Sequence, residues 1–233
     1  MGARKAVPVQ DDSLDEDQLL TDIAFSRIEQ MIVTRELPPG HMVSEIQLAE
    51  ELQMGRTPVR EALQRLRQLG FVEMRPRRGT SICNVDVRQQ LELLEVRRPL
   101  EELIVRCACA RATSDERLLL KRLAKRIVDA AKRKNIAEYF EVNRAIHKAE
   151  VTAAHNSMLT HTMLAIHAQS RRFWYQTIEE ADAFLDAAKL HAAVLDGIAA
   201  GTPAEAVAAC GELMSLLDRL TRAALDSFSL HAH

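Results

Sequence analysis

The chain has 233 residues, a formal charge of −2, and 47% hydrophobic and 27% charged residues, which gives it the composition of a folded protein and the length for two compact domains. No apolar run is long enough to span a bilayer and no basic, apolar leader opens the sequence, so neither a membrane partner nor export is expected. The four cysteines, Cys83, Cys107, Cys109 and Cys210, fit neither a zinc knuckle nor a disulfide framework, and a reducing cytoplasm is the simple expectation.

Residues 1–18 mix proline, small and charged residues and read as a flexible arm, with an acidic run at Asp11, Asp12, Asp15, Glu16 and Asp17. A first helix is expected over Ile23–Thr34, with Ile23, Ile28, Ile32 and Val33 on its apolar face and Pro38-Pro39-Gly40 beyond its end. Ser44 is placed to cap a second helix, about Glu45–Gln53, with Gln47 three residues on in capping-box position. Met54-Gly55 reads as a turn. A third helix then carries Val59, Ala62, Leu63 and Leu66 at helical spacing, with Thr57 as the expected N-cap and Pro58 at the first helical position. After Gly70, the runs Phe71–Arg75 and Thr80–Ile82 read as a short hairpin with Arg77, Arg78 and Gly79 at its tip, packing Phe71, Val72 and Ile82 onto the helices. Helix, turn, helix and hairpin over residues 19–84 make a winged helix-turn-helix.

From Val87 the pattern turns almost wholly helical. Breaks near Thr113-Ser114-Asp115, Asn135, His155-Asn156-Ser157, Thr177–Glu180 and Gly201-Thr202-Pro203 divide it into helices of about 87–111, 115–133, 136–154, 157–176, 180–200 and 203–228. Thr113 or Ser114 caps the second of these, although Ser114 with Arg117 does not form a capping box. Short connections make consecutive helices neighbours. The expected fold is therefore mainly α: a winged helix-turn-helix followed by an all-helical antiparallel bundle over residues 87–228.

The near-neutral total charge hides an asymmetry. Between Gly55 and Thr80 stand seven arginines against two acids, Glu61 and Glu73, the local basic footprint of a small domain that touches phosphates. Arg56, Thr57 and Arg60 lie at the start of the third helix, the end that reaches base edges when a helix enters the major groove. Arg77 and Arg78 are placed for phosphates or the minor groove, and Gly79 permits a tight turn close to DNA. Arg65 and Arg67 read equally as phosphate contacts or surface charge, and Glu61 as a support for the helix or for a neighbouring arginine.

In the bundle, Asn143 and His147 are four apart and share one helix face, and His191 lies on a later helix that can meet them. Two imidazoles and an amide oxygen can hold Zn, Ni or Fe weakly; the same histidines also read as core residues. His155, His161 and His167 read as surface or filler. Arg171 and Arg172 are candidates to receive an anion, and Phe173-Trp174-Tyr175 is the aromatic-dense spot of the sequence, placed for core packing or a pocket wall.

The run LPPGHMVSEIQLAEELQMGRTPVREALQRLRQLGFVEMRPRRGTSI resembles the GntR family of bacterial transcriptional regulators, with PPG, LAEEL, RTPVREAL, LRQLGFVE and RRG in register. The remainder is similar to the all-helical FCD domain of the family's FadR-like branch, through EVRRPLE at 95–101, NRAIH at 143–147, AAHNSML at 153–159 and the helix containing His191. The resemblance covers about residues 20–226. It implies a homodimer on double-stranded operator DNA, contacted by Arg56, Thr57, Arg60 and Gly79, and a small organic acid effector near Arg97, the arginine of the RxxLE pattern, here RRPLE. Glu101, one turn on, is Arg97's expected partner. The family pattern has Ser or Thr at Gly55, so a cap or phosphate contact is missing. The FCD pattern holds a metal on an Asp and a His four apart and two later histidines. These positions fall on Asn143, His147, His191 and Leu213, so the resemblance implies a degraded site and leaves a divalent metal such as Zn or Ni open. Effector binding by Arg97, Asn143, His147, Arg171 and His191 is expected, with repression relieved by ligand. The other readings are a constitutive dimeric DNA-binding protein without an effector and an enzyme on the helical domain, for which the sequence offers no nucleophile elbow, P-loop or dinucleotide loop.

Overall fold

The structure, a computed structural model, describes the backbone of residues 12–75, 79–177 and 181–230, and the side chains of 19–75, 79–175 and 184–224. The chain divides into two compact units, Met1–Asn84 and Val85–His233.

In the first unit, α1 (Asp12–Val33) leads into β1 (Met42–Val43), α2 (Glu45–Leu52), α3 (Arg56–Gln68), β2 (Val72–Arg75) and β3 (Gly79–Ile82). The helix starts earlier than its apolar face suggests, so the stretch expected as an arm is helical from Asp12. Ile23, assigned to that face, is exposed; Ala24, Ile28, Met31, Ile32 and Val33 do the packing. Val59, Ala62, Leu63 and Leu66 of α3 are buried, as their spacing requires, and Phe71, Val72 and Ile82 close the core under the hairpin. The sheet gains a third strand that is too short to show a period. Met42 pairs with Ser81 and Val43 with Thr80, giving the order β1-β3-β2.

Ser44 caps α2, accepting from Gln47 N, while its hydroxyl donates to Gln47 Oε1 rather than completing a capping box. The N-cap of α3 is Gly55, not Thr57, and no side chain caps it. The helix begins two residues earlier than expected because Pro58 is as well tolerated at the third helical position as at the first: no N–H of the first turn has an intrahelical partner.

The second unit is a bundle of α4 (Val87–Arg111), α5 (Ser114–Lys132), α6 (Ile136–Ala153), α7 (Ser157–Thr177), α8 (Ala181–Ala200) and α9 (Pro203–Leu230). Thr113 heads α5 in a full capping box with Glu116, the partner that a cap at Ser114 would have missed. The main core gathers residues from all six helices, including Val105, Leu120, Ile127, Ile146, Phe173, Leu195 and Met214. At Gly197 on α8 an added Cβ would lie 2.8 Å from Ala206 Cβ on α9, so these two helices cross too closely for a side chain.

Candidate functional site

The first unit exposes one end of α3. Arg56, Thr57 and Arg60 are all exposed there, and neither arginine makes an ion pair or side-chain hydrogen bond among the described residues. The uncapped first turn presents backbone N–H groups beside them, which suits an anion. The remaining arginines sort differently. Arg65 pairs with Asp22 at 2.5 Å and stands over the Phe25 ring at 4.7 Å. Arg75 pairs with Glu73 at 2.7 Å, and Arg67 Nη1 reaches Met74 Sδ at 3.4 Å. Glu61 accepts from the Thr21 hydroxyl at 3.0 Å and so ties α3 to α1 rather than orienting an arginine. Gly79 has φ +95°, a conformation that side chains resist, where β3 begins. Arg77 and Arg78 lie outside the described residues.

The second unit encloses a polar cluster against an aromatic wall. Arg97, 2% exposed, is its centre. Its Nε donates to Glu101 Oε1 at 2.7 Å, its Nη1 to Ser170 Oγ at 2.9 Å, and its Nη2 to His147 Nε2 at 3.2 Å. The i,i+4 pair with Glu101 is the one the sequence expects. His167 donates from Nε2 to the same Glu101 oxygen at 2.8 Å and stacks on His147 with ring centroids 3.9 Å apart. Asn143 Nδ2 lies 3.1 Å from His191 Nε2, and the His147 and His191 rings are 5.7 Å apart. Arg171 brings Nη1 to 3.5 Å from His147 Nδ1. The five expected effector residues, Arg97, Asn143, His147, Arg171 and His191, therefore line one pocket.

Charge is distributed unevenly in this cluster. Burial disfavours the Glu101 carboxylate, but His167 and Arg97 outweigh it and hold its pKa well below the usual carboxylate range. Burial drives His147 well below an ordinary histidine, with His167 and Arg97 adding to the shift, and pushes His191 down to about 3. His167 is lowered by burial against the pull of Glu101. Glu150 goes the other way: burial, and then the charge of Glu101, raise its pKa well above normal, so it keeps its proton.

A metal is the natural first suggestion for such a site. Glu101, His147 and His167 bring three donor atoms within 4.8 Å of one another. The donors do not fit an ion, however. Arg97 and Arg171 can only donate, and they face the two His147 ring nitrogens at 3.2 and 3.5 Å; the neutral imidazole accepts from only one of them, and Arg97 is the nearer to its nitrogen. The Asn143 amide takes the His191 Nε2 lone pair, and His167 spends Nε2 on Glu101. A divalent ion bonded to His147 Nε2 at the usual distance of about 2.1 Å would stand against the Arg97 guanidinium. Asn143, His147 and His191 do converge as a set, but the guanidinium holds the place of the cation.

Sequence reasoning missed several members of the site. His167, read as surface or filler, is fully buried at its centre. Ser170 and Glu150 carried no sequence signal. Tyr139, Phe140 and Phe184 pack edge to face with centroids 4.9–5.6 Å apart. Together with Trp174 they form the apolar wall, while Tyr175 tilts onto Phe140 at 4.9 Å and Phe173 packs in the core. His155 and His161 are exposed, as expected, and the four cysteines are free.

A winged helix with an exposed basic helix end, joined in one chain to a helical bundle with an enclosed pocket, defines a DNA-binding transcriptional regulator with a second, helical domain. Residues 20–82 match the gntR family of bacterial regulatory proteins and residues 92–216 match the FCD domain family. The chain belongs to the GntR family of regulators that carry an FCD domain, which are regulators and not enzymes. It is 29% identical over 207 residues to the HTH-type transcriptional regulator LutR of Bacillus subtilis (strain 168), covering 77% of this chain and 90% of that protein. It is 37% identical over 91 residues to the Nta operon transcriptional regulator of Aminobacter aminovorans, covering 39% of this chain and only 43% of that protein's length. The solved structure of E. coli McbR/YncC superposes with a TM-score of 0.74 at 22% identity, covering 87% of this chain and 97% of that one, which shows the fold. Among the described residues no helix is long and apolar enough to cross a membrane.

Proposed function

We propose that the chain is a ligand-responsive repressor of the family's FadR-like branch, working in the cytoplasm as a homodimer and released from operator DNA by a small carboxylate-containing metabolite. In this reading residues 19–84 hold DNA, and residues 87–228 bind the effector and dimerise. The observation that carries it is the pocket lining: two guanidiniums, Arg97 and Arg171, with Asn143, His147 and His191 beside them and no carboxylate among the described lining residues. Buried cations of this kind suit an anionic ligand. Arg56, Thr57 and Arg60 enter the major groove, and Arg77, Arg78 and Gly79 meet phosphates or the minor groove. One head reads one half-site, so a pseudo-palindromic operator needs two copies. The α4 stripe of exposed Val96 and Leu103 around half-buried Leu100 supports an apolar face for the second copy. Release requires the metabolite to bind the DNA-incompetent arrangement more tightly than the DNA-bound one.

The test begins with selection of random duplexes on the full-length protein, followed by anisotropy titration of the selected sequence. A two-fold symmetric site whose affinity falls steeply with salt is expected. Binding with neither salt dependence nor sequence preference would remove the DNA-reading claim. Titration of the complex with small carboxylates then checks release.

A further inference from the structure

Resting on the effector reading above, we propose that this pocket recognises an aromatic monocarboxylate directly, with protein guanidiniums and not a metal ion as its anion receptor. Among the described residues the polar side of the pocket has a single sign. Glu101 and Glu150 stand behind Arg97, lining a separate small void with Cys210 and Leu213, so neither presents negative charge to the main pocket. Arg97 is fixed in orientation through Glu101, Ser170 and His147, which spends three of its five N–H groups and leaves a rigid, charged edge. Arg171, 6% exposed, flanks it on the same lining. A planar carboxylate matches planar guanidinium donors.

The opposite side fixes the rest of the ligand. Tyr139, Phe140, Trp174 and Phe184 are backed by Leu217 and Leu220 around a cavity of about 30 Å³, so a ligand ring is seated only as these side chains move apart. Edge-to-face pairs already dominate this wall, so a ligand ring extends an existing aromatic arrangement. A second carboxylate would be buried against rings without a counter-charge, which disfavours dicarboxylates. A short hydroxy acid would place its hydroxyl against the rings. On the apolar side, Trp174 Nε1 is buried with no acceptor among the described residues. A buried indole N–H normally has a partner, and an acceptor on the ligand supplies one.

The experiment uses the full-length protein in excess EDTA, with binding followed by calorimetry and by thermal shift. The probes are phenylacetate and indole-3-acetate, with phenylacetamide, lactate and malonate as comparisons. Both ring acids should bind and raise Tm, phenylacetamide should bind at least roughly tenfold more weakly, and lactate and malonate should shift nothing. Arg171→Gln should weaken phenylacetate by roughly tenfold or more with its unliganded far-UV circular dichroism unchanged, and Trp174→Phe should weaken indole-3-acetate while keeping the ring wall. The proposal is overturned if neither ring acid binds, if Zn or Ni is needed for binding, or if the amide binds as well as the acid. Release of selected DNA by lactate or malonate, but not by the ring acids, would sink the ligand class and leave the repressor reading standing. If no acid of either kind affects Tm or DNA binding, both fall.

Discussion

The two units use arginine in opposite ways. At the start of α3, Arg56 and Arg60 stand in solvent without ion pairs among the described residues, open to a partner outside the chain. In the bundle, Arg97 is 2% exposed and three of its nitrogens are held by Glu101, Ser170 and His147. An exposed arginine contributes little to the fold and is available to release counterions on phosphates. A buried one makes the fold depend on its partners and turns the local field positive. The same residue type is thus open to an outside partner in one unit and a structural cation in the other, and substitutions should separate the two roles.

The largest expected effect is on the bundle. Arg97→Met leaves the Glu101 carboxylate buried with His167 alone, and breaking a buried pair in this way costs roughly 3–5 kcal/mol. Trp174 is the single tryptophan and is buried in the bundle core, so its fluorescence in a urea titration reports that unit. An unchanged midpoint would show that Arg97 does not hold the cluster. Next comes Arg60→Ala, which should cost about 1–3 kcal/mol of affinity for the selected duplex. Its urea midpoint should stay with the parent's. If sequence preference at one base position relaxes, Arg60 reads a base; if all duplexes weaken equally and the salt slope falls by about one, it holds a phosphate.

How much of this was legible in the sequence also differs between the units. The head was readable because its helices are amphipathic and its core faces one way: Val59, Ala62, Leu63 and Leu66 recur at helical spacing and all are buried. The bundle's helix limits were readable too, since Thr113, Asn135 and Pro203 mark real ends. The pocket's contents were not. α7 carries apolar or small residues on several faces, with Met163 and Ala168 buried and Leu164 exposed, so no polar stripe showed that His167 points inward. Tyr139 and Phe184 lie on separate helices and only packing brings them together. Asn143, His147 and His191 line one pocket, but the guanidinium beside His147 depends on Arg97's rotamer, which spacing does not encode.

A pH series sharpens the bundle half of the comparison. Glu150 keeps its proton in the folded chain to well above 4.5, whereas the unfolded chain releases it near 4.5. Between those values the unfolded state binds fewer protons, so this group's contribution to stability falls as pH rises. Glu150→Gln removes that loss, and its gain in Tm over the parent should grow from pH 5.5 to 8. A difference independent of pH would mean that Glu150 ionises normally. His191 has the opposite sign: its pKa is lowered from 6.5 to about 3, so the stability it contributes is lost as pH falls below 6.5.

The smallest expected effect belongs to the head. Gly55 is the N-cap of α3, with φ −63° and ψ 155°, a backbone that any residue adopts. An added Cβ meets nothing nearer than Pro58 Cδ at 3.6 Å, an ordinary contact. Gly55→Ser is therefore sterically free. Its hydroxyl can accept from the Thr57 N–H, but Pro58 has no N–H to offer, so half of the usual cap is absent. The gain in stability over glycine should be only a few tenths of a kcal/mol. If the same hydroxyl reaches a phosphate, affinity should rise by about 0.5–1.5 kcal/mol, equally for all duplex sequences, because backbone contacts carry no base information. A loss of affinity would mean instead that the bare backbone at Gly55 approaches the DNA closely, and that the glycine is itself part of the reading surface.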